Sequence, residues 1–518
     1  MTADPWGIEP AYWDAFGTWR EADPGALASL RRSMGAGSDD PGEAPPSGRP
    51  LRVVRPGHGD RSAAPGAVLV LEDGTHVALD GELPPDLPLG YHCIVGPDGG
   101  EEHLIASPGR VALPPDLRTW GLTCQLYAAR STRSWGLGDL ADLRRIVAWS
   151  RARGAGVVGI NPLHAPNPLG HPADSPYSPS SRRWRDPLYL AIEEVPGAGA
   201  LPDLAELAAA GQALNAGHRI DRAATWALKL DALERLWARF DTDPRFDAYR
   251  HEHGADLDAW ATYCALARHH GTGWRSWPAE HRRPEAPAVA AFAAEHRRDV
   301  AFWAWLQWLL DGQLAASGAA EVAVADLAVG FDDDGADAWQ WQDLVAGGVR
   351  TARRRTCSGP RARTGACRRS CRGGCETPAT SPSPPPSAPW PATPAACGST
   401  TSWGCSGCGG CPRAGAPPMA PTCAGRTAEL LDVVALESHR AGVLVVGEDL
   451  GTVEDEVRRP GRSRRALHPA GAVRGAPAPG VARAGHGRGD HPRPPHHRRG
   501  RLGNRPRRSA RRRHPHRP

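Results

Sequence analysis

Short apolar runs alternate with amphipathic helical stretches through the middle of the chain. Residues 121–128 (GLTCQLYA) form an apolar run typical of a buried strand, and Val157–Ile160 is the next such run. Between them, Asp139 can cap a helix whose apolar face includes Leu140 and Val147. A strand, a helix and a strand within about 40 residues predict a βαβ unit, and therefore a parallel sheet.

The same alternation continues toward the middle of the sequence. Helical periodicity recurs at residues 222–240, 255–270 and 286–316. A further apolar run, residues 321–324, predicts a strand that leads directly into Asp326. We therefore expect residues 118–349 to form the first part of a (β/α) barrel.

The amino-terminal part has a different pattern. Residues 1–117 are rich in proline and glycine, and they contain short strand-like runs such as 67–71 (AVLVL) between turn signals. Residues 35–50 have the composition of a flexible linker. These features predict a small β-rich accessory domain.

Two windows lack any hydrophobic period. Residues 350–424 hold nine of the twelve cysteines, and residues 459–518 are rich in arginine and proline with a single acid, Asp490. Neither window has the apolar residues that could offset the entropy of ordering, so we expect both to be irregular. Between them, residues 425–458 return to a helical pattern followed by an apolar strand, 443–446.

Targeting signals are not apparent in the sequence. The amino terminus, MTADPWGIEP, has neither the basic start nor the apolar stretch of a signal peptide. No run reaches the ~18 apolar residues that a membrane span needs. We therefore expect a cytoplasmic protein.

Polar residues follow several of the predicted strands. Asn161, Asp326 and Glu448 each stand at the carboxyl end of one, which is where barrels of this type carry their active groups. Each surrounding motif also has a plainer interpretation. The sequence WGLGD can be a helix-entry turn, and Glu448 with Asp449 can be a polar strand end with a helix cap.

Five motifs occur in one order along the chain. They are SWGLGD (134–139), NPLHA (161–165), SPYSPSSR (175–182), DLAVGFDDDGADAW (326–339) and GEDLG (447–451). In this order they resemble amylomaltase, the 4-α-glucanotransferase family (glycoside hydrolase family 77). The resemblance covers about residues 118–349 and 425–457, and the amino-terminal part is similar to the extra domain of actinobacterial-type members.

The resemblance implies an α/β fold, a (β/α)8 TIM-type barrel that is incomplete here and is preceded by the β-rich domain. It also implies transfer of α-1,4-glucan segments to an acceptor 4-hydroxyl by a retaining double displacement. Glu448 matches the acid/base. The substrate-binding positions implied by the resemblance are Asn161, Tyr177, Ser178, Asp326 and Asp449. Maltooligosaccharides and α-1,4-glucans are the expected partners, and no cofactor, metal, membrane or specific nucleic acid is implied.

Two motifs of the family are missing. The nucleophile lies in Arg-Ile-Asp-His and a third carboxylate in Thr-His-Asp-Leu-Pro, and neither string occurs in this chain. With each codon boundary moved by one base, residues 397–406 permit Leu-Arg-Ile-Asp-His-Val-Met-Gly-Leu-Phe, and residues 489–497 permit a string with Thr-His-Asp-Leu-Pro. We interpret 350–424 and 459–518 as out-of-frame translation, and we expect the chain as written to be inactive.

Three other functions remain open at this point. Cys405, Cys408 and Cys411 could form part of a zinc site, but a structural site needs four ligands. The arginine-rich tail could bind polyanions, although it has no lysine and no aromatic residue for stacking. The half-barrel could also survive as a non-catalytic glucan-binding remnant.

Overall fold

The computed structural model describes residues 4–13, 19–38, 40, 42, 50–114, 117–168, 175–328, 330–345, 349–352, 396–399, 408–412, 422–423 and 427–447. For the four short segments between 349 and 423, it describes the backbone only. All these residues belong to the first of two units, Met1–Val473.

Eighteen strands lie in the described residues. They are β1 (Ile8–Glu9), β2 (Ala11–Trp13), β3 (Trp19–Glu21), β4 (Leu51–Val54), β5 (Val68–Val70), β6 (His76–Ala78), β7 (Gly90–Val95), β8 (Glu101–Ala106), β9 (Gly121–Cys124), β10 (Val157–Ile160), β11 (His164–Ala165), β12 (Ser181–Arg185), β13 (Ala323–Leu327), β14 (Val349–Ala352), β15 (Ala396–Ser399), β16 (Cys408–Pro412), β17 (Thr422–Cys423) and β18 (Val445–Gly447).

Nine α-helices accompany these strands in the same part of the chain. They are α1 (Pro24–Met34), α2 (Leu140–Arg151), α3 (Leu204–Ala213), α4 (Arg222–Arg239), α5 (Pro244–His270), α6 (Pro287–Glu295), α7 (Arg297–Ala316), α8 (Ala336–Gln340) and α9 (Thr427–Ala441).

A five-stranded parallel sheet carries the candidate site. Its strands lie side by side in chain order: β9, β10, β13, β15 and β18. Consecutive parallel neighbours are the arrangement of a barrel wall, and they bring the carboxyl ends of all five strands to one edge. The predicted βαβ unit is confirmed, because β9, α2 and β10 occupy the expected residues. An eight-stranded barrel, incomplete in this chain, stays a prediction.

The sheet is covered by a large helical core. Helices α5 and α7 pack together and contribute many of its buried aromatic side chains, including Trp260, Trp303 and Trp305. The pattern at 286–316 predicted one helix, whereas the structure has two, α6 and α7, which meet at His296. Helix α5 is likewise interrupted, at Gly254, where φ is 49°.

The amino-terminal residues form a second sheet with the order β4-β8-β7-β5-β6 and a separate apolar cluster around Leu69 and Leu104. Helix α1 was not predicted, although its signals are present in the sequence. The Asp23 carboxylate accepts a hydrogen bond of 2.8 Å from the amide of Ala26, Pro24 begins the helix, and Gly35 ends it with a φ of 106°. Most of the predicted linker lies outside the described residues.

The window predicted to be irregular, 350–424, contains short strands. β14, β16 and β17 form an antiparallel sheet with β1, and β15 belongs to the parallel sheet. These segments are short, and the largely irregular structure expected of the window as a whole stays a prediction. The other residues of this window, and the whole of 459–518, lie outside the described part.

No helix of the described residues is both long and apolar enough to cross a bilayer.

Candidate active site

Tyr177 and Asp326 meet at the carboxyl edge of the parallel sheet. Asp326 lies near the end of β13, and its Oδ2 accepts a hydrogen bond of 2.8 Å from the Tyr177 hydroxyl. The Tyr177 side chain is still 43% exposed, so one end of it is fixed while its ring faces solvent. A carboxylate beside an exposed aromatic ring is the combination that a sugar cleft needs, since the ring offers an apolar face and the carboxylate accepts from hydroxyls.

The loop that carries Tyr177 is joined to the segment after β13. The Ser180 hydroxyl accepts from the amide of Ala336 at 2.8 Å, and the Asp337 carboxylate accepts from the amide of Arg182 at 2.8 Å. Burial raises the pKa of Asp337. At Gly335, a Cβ atom would lie 2.6 Å from the Ser180 Cα, so this contact requires glycine. Residues 180–182 and 335–337, which come from two of the sequence motifs, therefore pack together, and we call this pair of segments the rim of the site.

Asn161 lies beside this pair but is turned into the protein. Ile160 pairs with Ala325, so Asn161 and Asp326 follow at neighbouring strand ends. The Asn161 side chain is 3% exposed. Its Oδ1 accepts from the amide of Leu126 at 2.7 Å, and its Nδ2 donates to the carbonyl of Pro162 at 2.8 Å and to the hydroxyl of Tyr189 at 3.0 Å. These bonds occupy the amide donors, so this geometry suits a residue that joins strand ends better than one that contacts substrate.

His164 lies next to the site, and the sequence analysis did not single it out. Its Nε2 accepts a hydrogen bond of 3.3 Å from the amide of Ala328, two residues after Asp326. Burial lowers its pKa to about 3, and the nearby Arg182 and Arg185 guanidinium groups act in the same direction. His164 is therefore neutral near pH 7 and able to accept. Its position in NPLHA is visible in the sequence, but its partner lies 164 residues away.

The motif SWGLGD forms the predicted helix-entry turn. The Asp139 carboxylate accepts from the amides of Ala141 and Asp142, and the Asp142 side chain accepts from the amide of Asp139, which makes a capping box. The Trp135 ring is buried and donates 2.9 Å to Glu193. Burial raises the pKa of Asp139 to about 6. This motif fixes the start of α2.

The remaining predicted residues differ in what the structure describes. Ser178 lies half-buried beside Tyr177. Glu448 and Asp449 lie outside the described residues, but Glu448 directly follows Gly447, the last residue of β18. Ser399, the last residue of β15, pairs with Leu327 on one side and Gly447 on the other.

The alternative zinc site rests on three cysteines. The side chains of Cys405, Cys408 and Cys411 lie outside the described part of the chain. Within that part, no three side chains among histidine, cysteine, aspartate and glutamate converge as a metal site.

Comparison with known proteins finds one matching family. Residues 124–359 match the family model described as 4-alpha-glucanotransferase, glycoside hydrolase family 77. This stretch of the chain is similar to that family. The resemblance that the five motifs indicated is thereby confirmed.

Curated 4-alpha-glucanotransferases give the same result. That of Mycobacterium tuberculosis strain H37Rv is 38% identical over 415 residues, which cover 73% of this chain and 56% of the relative. That of Haemophilus influenzae is 31% identical over 422 residues, covering 73% and 59%. The chain thus spans a little more than half the length of these relatives.

Solved structures of the family share the fold. The crystal structure of amylomaltase from Corynebacterium glutamicum matches with a TM-score of 0.72 and 24% identity, covering 90% of this chain and 73% of its own. Amylomaltase from Streptococcus agalactiae in complex with acarbose matches with a TM-score of 0.54 and 11% identity, covering 67% and 72%. The chain has the TIM-barrel-like α/β fold of glycoside hydrolase family 77.

Proposed function

We propose that the chain derives from a cytoplasmic 4-α-glucanotransferase that moves α-1,4-glucan segments between maltooligosaccharides without a cofactor. The observation that carries the proposal is the Tyr177–Asp326 pair at the carboxyl edge of the sheet, inside the residues that match the family. The neighbour from Streptococcus agalactiae holds acarbose, and we propose a sugar-binding cleft at the equivalent edge here. In this proposal Glu448 is the acid/base, and Tyr177, Ser178, Asp326 and Asp449 contact the sugar.

The domain arrangement belongs to the same proposal. Residues 1–117 are the accessory domain, 118–349 the first part of the barrel, and 425–458 the barrel helix and strand that lead to Glu448. Residues 350–424 and 459–518 are the out-of-frame windows. We assign the arginine-rich tail no specific nucleic-acid partner.

The chain as written, we propose, cannot complete the reaction. A retaining mechanism needs a nucleophilic carboxylate as well as an acid/base. In the shifted reading, the aspartate codon of Arg-Ile-Asp-His spans Ser399 and Thr400. Ser399 ends β15, between the strand of Asp326 and the strand that precedes Glu448. The register supports this account, because Ser399 pairs with Leu327 on β13 and with Gly447 on β18.

A glucan-binding remnant is the second candidate. It is favoured for the written chain because the Asp326 carboxylate can accept hydrogen bonds from sugar hydroxyls without any nucleophile being present. Both functions predict maltooligosaccharide binding, and only the first predicts transfer after repair of the frame. Glucan-affinity electrophoresis of the full chain in amylose gels tests binding, with Asp326→Ala as the site variant. Asp231→Ala is a matched control, because Asp231 pairs with Arg235 on the exposed face of α4.

Amylose should retard the parent and the control, and should retard the Asp326 variant less. Equal mobility of all three with and without amylose would remove the sugar-binding proposal. Zinc content and RNase-sensitive retention on heparin test the cysteine-rich and polyanion-binding alternatives in the same preparation.

A further inference from the structure

Helix α9 is held on the amino-terminal sheet by a buried ion pair. The Asp432 carboxylate is fully buried, and the Arg55 guanidinium donates to both of its oxygens, with Nε 2.8 Å from Oδ1. The Ser107 hydroxyl lies 3.2 Å from the same Oδ1. The hydrogen bond to Asp432 raises the pKa of Arg55. Arg55 and Asp432 are 377 residues apart in the sequence.

A second polar contact lies farther along the helix. The Tyr91 hydroxyl on β7 donates 2.7 Å to Glu437, and the Arg440 guanidinium lies over the Tyr91 ring while it pairs with Glu72. The amino-terminal sheet thus contributes Arg55, Tyr91 and Glu72 to three separate contacts. An isolated surface ion pair contributes little to stability, but a buried carboxylate with two donors fixes a geometry.

The contact continues from the helix to the last strand of the parallel sheet. The amide of Ala112 donates 3.0 Å to the Ser438 hydroxyl, which in turn donates 2.7 Å to the carbonyl of Val443. Val111 packs in one apolar cluster with Ala435 and Val445. Val445 begins β18, so the segment after the amino-terminal sheet contacts both the helix and the strand.

We propose that the amino-terminal sheet is a positioning element of the active site: through Arg55 and Asp432 it fixes helix α9, and through α9 it fixes strand β18. Glu448 is the next residue after β18, and its role as acid/base rests on the proposed function. In this arrangement Arg55 is a positioning residue that acts at a distance from the sugar. The accessory domain then fixes the strand end that Glu448 follows in the sequence.

Hydrogen–deuterium exchange of the full chain tests this directly. Arg55→Leu removes the guanidinium whose two N–H groups donate to the buried Asp432 carboxylate. Exchange of peptides within 429–447 should then accelerate on the order of 10- to 100-fold, while peptides within 257–267 of the helical core stay unchanged. Arg55→Lys keeps the charge but not the paired bonds, and should give an intermediate acceleration.

Arg52→Leu is the matched control. Arg52 lies on β4, three residues before Arg55, and binds the Glu102 carboxylate in the same two-bond manner, with Nε 3.0 Å from Oε1. Glu102 belongs to the amino-terminal sheet itself, so this variant should leave 429–447 unchanged. If Arg55→Leu prevents folding, Tyr91→Phe removes only the bond to Glu437 and should accelerate the same peptides about threefold.

The proposal is overturned if 429–447 exchanges freely in the parent. It is also overturned if the Arg52 and Arg55 variants behave alike, or if 257–267 accelerates as much as 429–447. Exchange requires no sugar, so loss of glucan binding with this selective pattern intact would count against the proposed function and not against the positioning role.

Discussion

The Tyr177 hydroxyl donates a 2.8 Å hydrogen bond to Asp326, although the two residues are 149 positions apart in the sequence. This bond joins the SPYSPSSR loop to the end of β13. It orients the carboxylate and leaves the aromatic ring exposed at the edge where the strands end. Asp326 and Tyr177 therefore act as one unit of the proposed sugar-binding cleft.

Two substitutions separate the ring from the hydroxyl of Tyr177. Tyr177→Phe keeps the apolar face for a pyranose ring and should weaken maltoheptaose binding by about threefold or less. Tyr177→Ala removes the face as well and should weaken it about tenfold or more. Isothermal titration calorimetry of both variants measures the difference. Identical affinities for parent and Ala variant would show that this ring does not line the cleft.

Gly335→Ala should damage the rim. The added methyl group would lie 2.6 Å from the Ser180 Cα and 2.7 Å from its carbonyl oxygen, and backbone atoms cannot move aside cheaply. We expect a loss of about 1–3 kcal/mol in the free energy of unfolding, measured by urea denaturation. Gly199→Ala is the control, because nothing lies within 4 Å of a Cβ atom there. Equal losses for the two variants would contradict the close packing of this rim.

Asp186 should make stability depend on pH. Burial raises its pKa from 3.8 to about 6, so the folded chain holds this proton more tightly than the unfolded chain. The stability that the folded chain gains from this bound proton is fully present below pH 3.8, and it is lost as the pH rises through 6. Asp186→Asn keeps an oxygen that can accept from the amide of Leu188, at 2.9 Å in the parent, but it has no proton to lose.

Between pH 4 and pH 7, the free energy of unfolding of the Asn variant should therefore rise relative to that of the parent by about 2–3 kcal/mol. Urea denaturation of both proteins across this range measures the gain. A difference that stays constant with pH, or that changes in the opposite direction, would show that Asp186 is ionised in the folded chain at acidic pH.

Local signals account for what the sequence could predict. The capping box of Asp139, the strand at Val157–Ile160 and the helix at Arg222–Arg239 are written in residues a few positions apart. Asn161 and Asp326 could be assigned to neighbouring strand ends for the same reason, since parallel strands align their carboxyl ends.

Contacts between distant residues account for what it could not predict. The sequence indicates that Asn161 is near the site, but not that Leu126, Pro162 and Tyr189 use its amide. His164 has no distinguishing feature until Ala328 is placed beside it. The bond between Arg55 and Asp432 depends on the path of the whole chain, which no pattern of apolar residues encodes.

Glucose release from maltotriose tests the central claim most directly. The chain as written should release no measurable glucose, because Glu448 alone cannot form the covalent intermediate. A chain with residues 350–424 and 459–518 translated in the shifted frames should release it readily. Glu448→Gln in that repaired chain should abolish release while maltooligosaccharide binding stays nearly intact. Release by the written chain, or a folded repaired chain that binds maltooligosaccharides and transfers nothing, would contradict the account.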